Sequence, residues 1–167
     1  AILCRSLNDH HDIGNLEVRR YLDNFDWEAL MAITESIGDL QHGHHREAVQ
    51  DYLVFRGRDR VPIVARGLTD RRPDVVAASI NILATIGSDE AVQHLHKVLH
   101  HRDLGVRRLL MTTLQDCPGD HCLDMLQQLA EDEEVEIQQA AVRCLVRSRG
   151  QRGFNALADV LNSEKFA

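Results

Sequence analysis

"RPDVVAASINILATIGSDEAV" (residues 72–92) predicts the fold once it is set beside two later stretches, "DLGVRRLLMTTL" (103–114) and "EEVEIQQAAVRCL" (133–145). Each stretch begins with a polar turn and continues with apolar residues three and four positions apart. That spacing places the apolar side chains on one face of a helix. A helical unit that recurs along a chain indicates a repeat protein, in which each unit buries its apolar face against its neighbours.

The unit recurs every 31 residues, and the step is visible as columns of apolar residues. Three columns at positions i, i+3 and i+7 predict the first helix of each unit: Leu30, Val61, Val92, Leu123 and Phe154; Ile33, Val64, Leu95, Leu126 and Leu157; Ile37, Leu68, Leu99, Ala130 and Leu161. Further columns with the same step, such as Val49, Ile80, Met111 and Val142, predict a second helix. We therefore expect pairs of antiparallel helices, with turns near 38–43, 69–74, 100–104 and 131–134.

The predicted fold class is all-α, a right-handed α-α superhelix of about five helix pairs. We expect a single domain spanning residues 1–167. Its repeats are approximately 1–26 (partial), 27–58, 59–89, 90–120, 121–150 and 151–167 (partial). Because the chain begins inside one unit and ends after the first helix of another, we expect a segment of a longer protein. In it, Phe154, Leu157 and Leu161 would lack a partner helix.

Composition and charge limit the class of protein. Only 4% of residues are aromatic and three are proline, which favours helices over a sandwich or barrel. No apolar run approaches the roughly 18 residues needed to span a bilayer, and the net charge of -7 disfavours attraction to nucleic acid or anionic membranes. Four irregularly spaced cysteines do not resemble a secreted disulfide framework. We expect a soluble cytoplasmic protein with free thiols and no membrane association.

"CPGDHC" (117–122) could be half of a metal site, a redox pair or a turn. It aligns with the loops "FRGRDR" (55–60), "IGSDEA" (86–91) and "SRGQRG" (148–153) of the other units. We therefore interpret it as a turn between repeats. Cys117 then lies in the column of Phe55 and Ile86, a partly buried helix end, and Cys122 begins the next helix. No second close Cys/His pair completes a zinc site, so we expect no metal here.

The units resemble the HEAT-like repeats of the phycobilisome-lyase type. The resemblance rests on a turn followed by V-R-x-x-A/L-x-x-x-L, as in the three stretches quoted above, and is clearest over residues 59–161. It implies a superhelix of stacked helix pairs whose second helices line a concave surface. It also implies that Arg107 pairs with a turn aspartate and is structural. The family's motif is a packing motif, so the resemblance indicates architecture rather than activity.

Ten histidines raise the possibility of a metal site elsewhere in the chain. His42, His44 and His45 form a cluster, and His96 and His100 are four residues apart on one helix face. The column of His96 contains Thr34, Ala65, Gln127 and Ala158, which indicates an outer, solvated face. Among HEAT-like proteins, deoxyhypusine hydroxylase holds two irons with repeated His-Glu pairs, but Arg46 separates histidine from glutamate here. We expect no metal.

Catalytic motifs are missing from the sequence. It contains no G-x-S-x-G, no phosphate-binding loop and no convincing acid/base pair. The acidic run "EDEEVE" (131–136) lies at a turn and the start of a helix, where acids favour the helix macrodipole. We interpret it as capping, and expect no catalytic residue and no cofactor.

The exposed positions of the second helices form the candidate binding site. Basic and amide side chains dominate their columns, whereas many acids lie in the turns and first helices. The candidate partner-binding residues are Arg46, Gln50, Asn81, Arg108, Thr112, Gln139, Arg143 and Arg147. An acidic partner segment could lie along them, since arginine binds carboxylates in a bidentate manner. The alternative, that helices simply carry Arg and Gln on solvated faces, stays open.

Our main hypothesis is a non-enzymatic interaction or scaffold module that binds a protein partner, or another domain of its parent chain, on the concave face. An enzymatic alternative is a lyase or chaperone-like subunit resembling the phycobilin lyases, which needs a pigment-sized apolar pocket. A third is nucleic-acid binding as in HEAT-like DNA glycosylases, which needs a basic groove and aromatic stacking. Trp27 and Tyr52 fall at or near core columns, so both alternatives rank below the first.

Overall fold

The computed structural model describes residues 2–10, 12–26, 28–115, 117, 119–148 and 151–163. Within these ranges the regular structure is helical and no strand is present, so the all-α prediction is confirmed for this part of the chain. The α-helices are α1 Ile2–Asp9, α2 Asn15–Leu22, α3 Ala29–Ser36, α4 Gly43–Gly57, α5 Val61–Val64, α6 Pro73–Ile86, α7 Asp89–His94, α8 Leu104–Gln115, α9 Asp120–Leu129, α10 Val135–Arg147 and α11 Gln151–Leu161.

The helices follow the predicted repeat. Helices α6, α8 and α10 begin at Pro73, Leu104 and Val135, each 31 residues after the one before. The polar turns before them, and the turn before α4, fall where the sequence predicts. Gly87, in the left-handed conformation with φ 64°, ends α6 as glycine commonly does. Trp27, predicted to lie near a core column, is outside the described residues.

The first α-helices of three repeats are shorter than the apolar columns predict. Helices α3, α5 and α7 continue as the 3-10 helices Ile37–Asp39, Ala65–Thr69 and Leu95–Val98. These tighter turns are common at helix ends. Gly67 lies in the middle one, where a Cβ would be 3.1 Å from Thr34 Cγ2 and 3.2 Å from Ser79 Cβ. Glycine is therefore what lets this segment approach α3 and α6 so closely.

The chain forms two compact units, Ala1–Leu95 and His96–Ala167. In the first, α2 packs against α4, and α4 against α6; the buried hydroxyl of Tyr52 donates to the carbonyl oxygen of Leu22 at 2.9 Å. In the second, α8 and α9 pack against α10, and α11 packs against α9 and α10. Contacts between successive helix pairs are the pattern of repeat proteins.

The predicted core columns of the first helices are buried in four of the five sequence repeats. Their members from Leu30 to Ala130 are at most 9% exposed, apart from Leu123, which is half-buried. In the last repeat the residues of the same columns are more exposed: Phe154 is 66% and Leu161 52% exposed, and Leu157 is half-buried. Helix α11 uses a different stripe, with Gly153, Ala156 and Val160 buried.

Arg107 joins two successive turns of the second unit, as the sequence predicts. Its Nε lies 3.1 Å from Asp132 Oδ2, at ion-pair distance but without a hydrogen bond between those two atoms. Its Nη1 donates to the His101 carbonyl oxygen at 2.8 Å, and Nη2 to Glu133 Oε1 at 3.2 Å. Glu134, the N-cap residue of α10, makes no side-chain capping hydrogen bond, and the acidic turn instead holds a buried arginine.

Cys117 and Cys122 are bonded as a disulfide, so the expectation of free thiols is wrong for this pair. Their Cα atoms are 6.2 Å apart, within the range that a disulfide spans. The predicted turn between repeats includes Pro118, which lies outside the described residues; Cys117 and Gly119 lie between α8 and α9, as that prediction expects. Cys144 is a buried free thiol. Phe55, expected to be partly buried in the same column as Cys117, is 57% exposed.

None of the described helices is both long and apolar enough to cross a bilayer.

Candidate functional site

Helix α10 positions the candidate site by its amphipathic pattern. Ile137, Ala141 and Leu145, spaced by four residues, are buried on one face. Arg143 and Arg147, also spaced by four, are exposed on the other. Because residues four apart on a helix are neighbours, the two guanidinium groups project from the same side.

An open cleft of about 490 Å³ lies along the exposed face of α10. Its lining residues are Gln115, Ala140, Val142, Arg143, Cys144, Val146 and Arg147. Val146 is 63% exposed, and Val142 is half-buried. The cleft therefore combines an apolar wall with two cations.

The charges of this cleft are not neutralised by neighbouring groups. Arg143 has no ion pair or hydrogen bond with any residue that the structure describes, and Arg147 has no acidic partner among them, its Nη2 donating to the Cys144 Sγ at 3.6 Å. Arginine keeps its positive charge in proteins. Both guanidinium groups are thus free to bind an anionic ligand.

The other predicted residues of the second unit are partly engaged. Arg108 donates from Nη2 and Nε to Glu136 Oε2, at 2.6 and 3.1 Å. The hydroxyl of Thr112 donates to the Arg108 carbonyl oxygen at 3.0 Å. Gln139 is exposed. Arg108 already holds an acid of its own chain, so it is a poorer anion site than Arg143 or Arg147.

Three predicted residues, Arg46, Gln50 and Asn81, lie in the first unit. The half-buried Arg46 donates from Nη2 to the Leu40 carbonyl oxygen at 2.7 Å, which gives it a structural role in the preceding turn. Gln50 is half-buried and Asn81 is exposed. The eight candidate residues therefore divide between the two units, and the cleft brings together only Arg143 and Arg147.

The apolar wall was missed from the sequence. The pattern places Val142 in a core column, whereas the structure leaves it half-buried at the cleft. Val146 shares a column with Leu53, Ala84 and Gln115. Because this column contains both apolar and polar residues, it does not predict whether Val146 is buried or exposed. The signal that could have found it is a large apolar residue beside two unpaired arginines on a solvated helix face.

A second cleft, of about 240 Å³, lies between α9 and α11 and is largely polar. Arg152 forms an ion pair with Asp120, and Gln127 Nε2 donates to Asp159 Oδ2 at 3.3 Å. Its charged groups therefore largely bind one another across the two helices.

The clustered histidines anchor the start of α4. The ring of His45 is fully buried, with Nε2 3.0 Å from the Ile13 carbonyl oxygen, and the centroids of His44 and His45 are 4.0 Å apart. His96 and His100 are exposed. The prediction that the column of His96 forms a solvated face is wrong for Thr34 and Ala65, which are buried because the 3-10 segment Ala65–Thr69 packs closely against α3. Among the described residues, no group of three or more His, Cys, Asp or Glu side chains is arranged to hold a metal ion.

No protein-family model, curated protein or solved structure matches this chain. Its function therefore has to be inferred from its own residues.

Proposed function

We propose that the protein is a non-enzymatic interaction module of the HEAT-like type, and that the α10 cleft binds an acidic segment of a partner protein. The observation that carries this proposal is the pair of exposed arginines, Arg143 and Arg147, which lack an acidic partner among the described residues and stand beside the exposed Val146.

The chemistry of the cleft suits such a segment. Each guanidinium can bind a carboxylate through two parallel hydrogen bonds. The valines add apolar contact area, which contributes affinity without requiring a particular charge. A net charge of -7 on the chain makes a polyanionic nucleic acid a poor ligand, whereas a short acidic segment needs only a local basic face.

The pigment-lyase and nucleic-acid alternatives lack a supporting observation at this cleft. The bases of a nucleic acid bind well by stacking on aromatic side chains, and the conjugated rings of a pigment pack favourably on the same side chains. No aromatic residue lines the cleft. We therefore propose protein binding alone.

The proposal is tested with the double variant Arg143→Glu, Arg147→Glu and a labelled peptide rich in glutamate and valine. We expect the double variant to bind the peptide at least tenfold more weakly than the parent does, a loss of about 1.4 kcal/mol. Binding of the peptide to the parent should also weaken in high salt, because salt screens the charges. Because both side chains are exposed, the melting temperature should stay close to that of the parent.

The matched control is Arg58→Glu, Lys97→Glu, which makes the same change in net charge at two exposed positions outside the cleft. It should bind the peptide nearly as the parent does. Equal loss of affinity in both double variants would show that only net charge matters, and would overturn the proposal.

A further inference from the structure

The disulfide between Cys117 and Cys122 lies at a place where the fold does not depend on it. Cys117 precedes α9, and Cys122 lies in the first turn of that helix. The equivalent segments "FRGRDR" (55–60) and "IGSDEA" (86–91) contain no cysteine, yet α5 and α7 begin there. The two bonded cysteines are only five positions apart. Because the stabilisation from a disulfide grows with the length of chain that it encloses, so short a closure contributes less than a long-range one.

Both positions also suit unbonded side chains. Cys122 occupies the column of Ala91, and both residues are at most 1% exposed. Cys117 occupies the column of Ile86 and Ser148, and all three are half-buried. An unbonded cysteine packs as a small apolar residue. The fold therefore accommodates the pair in the oxidised and in the reduced state.

The two cysteines differ in exposure, which sets the order of an exchange reaction. Thiol–disulfide exchange begins when a thiolate attacks one of the two sulfurs directly. Cys117 is half-buried, whereas Cys122 is 1% exposed. A small thiol therefore reaches Cys117 more easily, and Cys122 is the leaving group.

We infer that Cys117 and Cys122 form a reversible dithiol–disulfide couple that exchanges with small-molecule thiols and disulfides at Cys117. This inference is independent of the α10 cleft, since none of its residues lines that cleft.

The reaction proceeds in two exchange steps. A small thiolate attacks Cys117 Sγ, the bond between the two cysteines breaks, and its electron pair stays on Cys122 Sγ, which takes up a proton. A second small thiolate attacks the sulfur of the first small molecule in the mixed disulfide, so that a small-molecule disulfide leaves and Cys117 becomes a thiol. The protein disulfide thus gains two electrons and two protons, which the two small thiols lose. Oxidation is the reverse, with the small-molecule disulfide as oxidant.

The state of this couple acts on the first turn of α9. Gly119, the N-cap residue of α9, makes no side-chain capping hydrogen bond. In the equivalent place Ser88 caps α7, since its Oγ accepts from the Ala91 amide at 3.2 Å. The first amides of a helix have no partner within the helix. The bond to Cys122 therefore provides a covalent hold where α9 lacks a cap, and reduction should let this turn fray.

Fraying changes the polar cleft between α9 and α11. Asp120, the first residue of α9, forms an ion pair with Arg152 across this cleft. Both side chains are more than half exposed, so the pair contributes little to stability. Its separation should leave α11 in place, because Ala156 and Val160 stay buried. The couple therefore controls which charges this cleft offers and leaves the fold intact.

Equilibration of the native chain with glutathione tests the exchange. Reduced and oxidised glutathione are mixed in varied ratio, free thiols are trapped with N-ethylmaleimide, and mass spectrometry locates the labels. We expect Cys117 and Cys122 to be labelled together in excess reduced glutathione and protected together in excess oxidised glutathione, from either starting state. A pair that stays bonded in excess reduced glutathione until the chain is denatured would overturn the inference.

Two single variants test which sulfur is attacked. Cys122→Ala matches the equivalent Ala91 and isolates Cys117, whereas Cys117→Ser matches the equivalent Ser148 and isolates Cys122. With oxidised glutathione, the mixed disulfide should form at least about tenfold faster in the first variant than in the second. Melting curves check that both are folded, and equal rates in the folded variants would contradict attack at Cys117.

Hydrogen exchange of the oxidised and reduced chains tests the structural effect. The amide of Leu123 donates to the Gly119 carbonyl oxygen at 3.3 Å at the start of α9. We expect the amides of this turn to exchange at least about tenfold faster in the reduced chain, with α4, α6 and α11 unchanged. Equal exchange of this turn in both states would show that the couple does not act on α9. Loss of helical circular dichroism on reduction would show a structural bond, which also overturns the inference.

Discussion

Arg107 and Arg108 are neighbours in sequence whose surroundings differ. The side chain of Arg107 is 6% exposed and that of its partner Asp132 4%, whereas Arg108 and Glu136 are both more than half exposed. Removing one member of a buried ion pair leaves an uncompensated charge away from water. Solvent screens an exposed pair, which contributes little.

The same substitution is therefore predicted to cost much more stability at Arg107 than at Arg108. Arg107→Ala should lower the free energy of unfolding by about 3 kcal/mol or more, because Asp132 is left buried without its partner. Arg108→Ala should lower it by about 1 kcal/mol or less. Urea denaturation of both variants measures the difference, and equal losses would contradict the structural role of Arg107.

Asp70 makes the first unit sensitive to acid. A side-chain hydrogen bond from Arg72 holds the pKa of the Asp70 carboxyl below its ordinary value. A carboxylate with a lowered pKa stabilises the fold at pH values above its unfolded pKa, and this stabilisation is lost as pH falls through the folded pKa. The Asp70→Asn variant should therefore be less stable than the parent at neutral pH, and the difference should shrink in acid. A difference that does not change with pH would contradict this assignment.

The disulfide predicts the number of reactive thiols. The chain has four cysteines, and two of them form the bond between Cys117 and Cys122. Denatured, unreduced protein should therefore react with a thiol reagent at Cys144 but not at Cys117 or Cys122, and these two should react only after reduction. Mass spectrometry counts the labels, and four labels without reduction would show that this pair is not bonded.

At the scale of the element, glycine controls how closely helical segments pack. Gly67 faces Thr34 and Ser79 across a contact that leaves no room for a methyl group. Gly43, the first residue of α4, has no atom within 4 Å of the place where a Cβ would stand. The two positions thus form a matched pair for the same substitution.

Gly67→Ala should destabilise the protein by about 1–3 kcal/mol, because the added methyl forces Ser79 and Thr34 out of place. Gly43→Ala should be neutral or stabilise by up to about 1 kcal/mol, since it reduces the freedom of the unfolded chain without a clash. Thermal melting of the two variants measures the contrast. A harmless Gly67→Ala would mean that the Ala65–Thr69 segment moves easily away from α6.

At the scale of the whole molecule, neighbour contacts set local stability. A helix that few neighbours cover opens more easily, because fewer buried contacts hold it closed. Helix α9 is buried on the stripe that α11 leaves exposed. The difference in exposure between α9 and α11 comes from the helices that pack against them and not from their residue types, since the same columns are apolar in both.

Hydrogen exchange should therefore be faster in α11 than in α9. Mass spectrometry of peptic fragments resolves the two helices. If α11 of the free chain is protected as well as α9, its exposed stripe has little effect on local stability.

The sequence by itself determined the helices and their spacing of 31 residues, because the 3.6-residue period of the apolar positions is a local pattern that recurs along the chain. The turns could be predicted in the same way, whereas the structural role of Arg107 was implied only by the resemblance, since its own column contains His45, Val76 and Gln138. The candidate site could be predicted only in part: Arg143 and Arg147 were among the expected residues, but nothing in their columns separates them from Arg108.

Only the tertiary structure decided which of these arginines is available, because pairing depends on what the neighbouring helix brings within reach. Glu136 reaches Arg108 from 28 positions away, whereas the described residues bring no acid to Arg143. The Cys117–Cys122 bond and the exposed Val146 were likewise decided in three dimensions. Periodicity shows which side chains share a face of a helix, but burial, charge pairing and disulfide bonding depend on which second surface, if any, packs against that face.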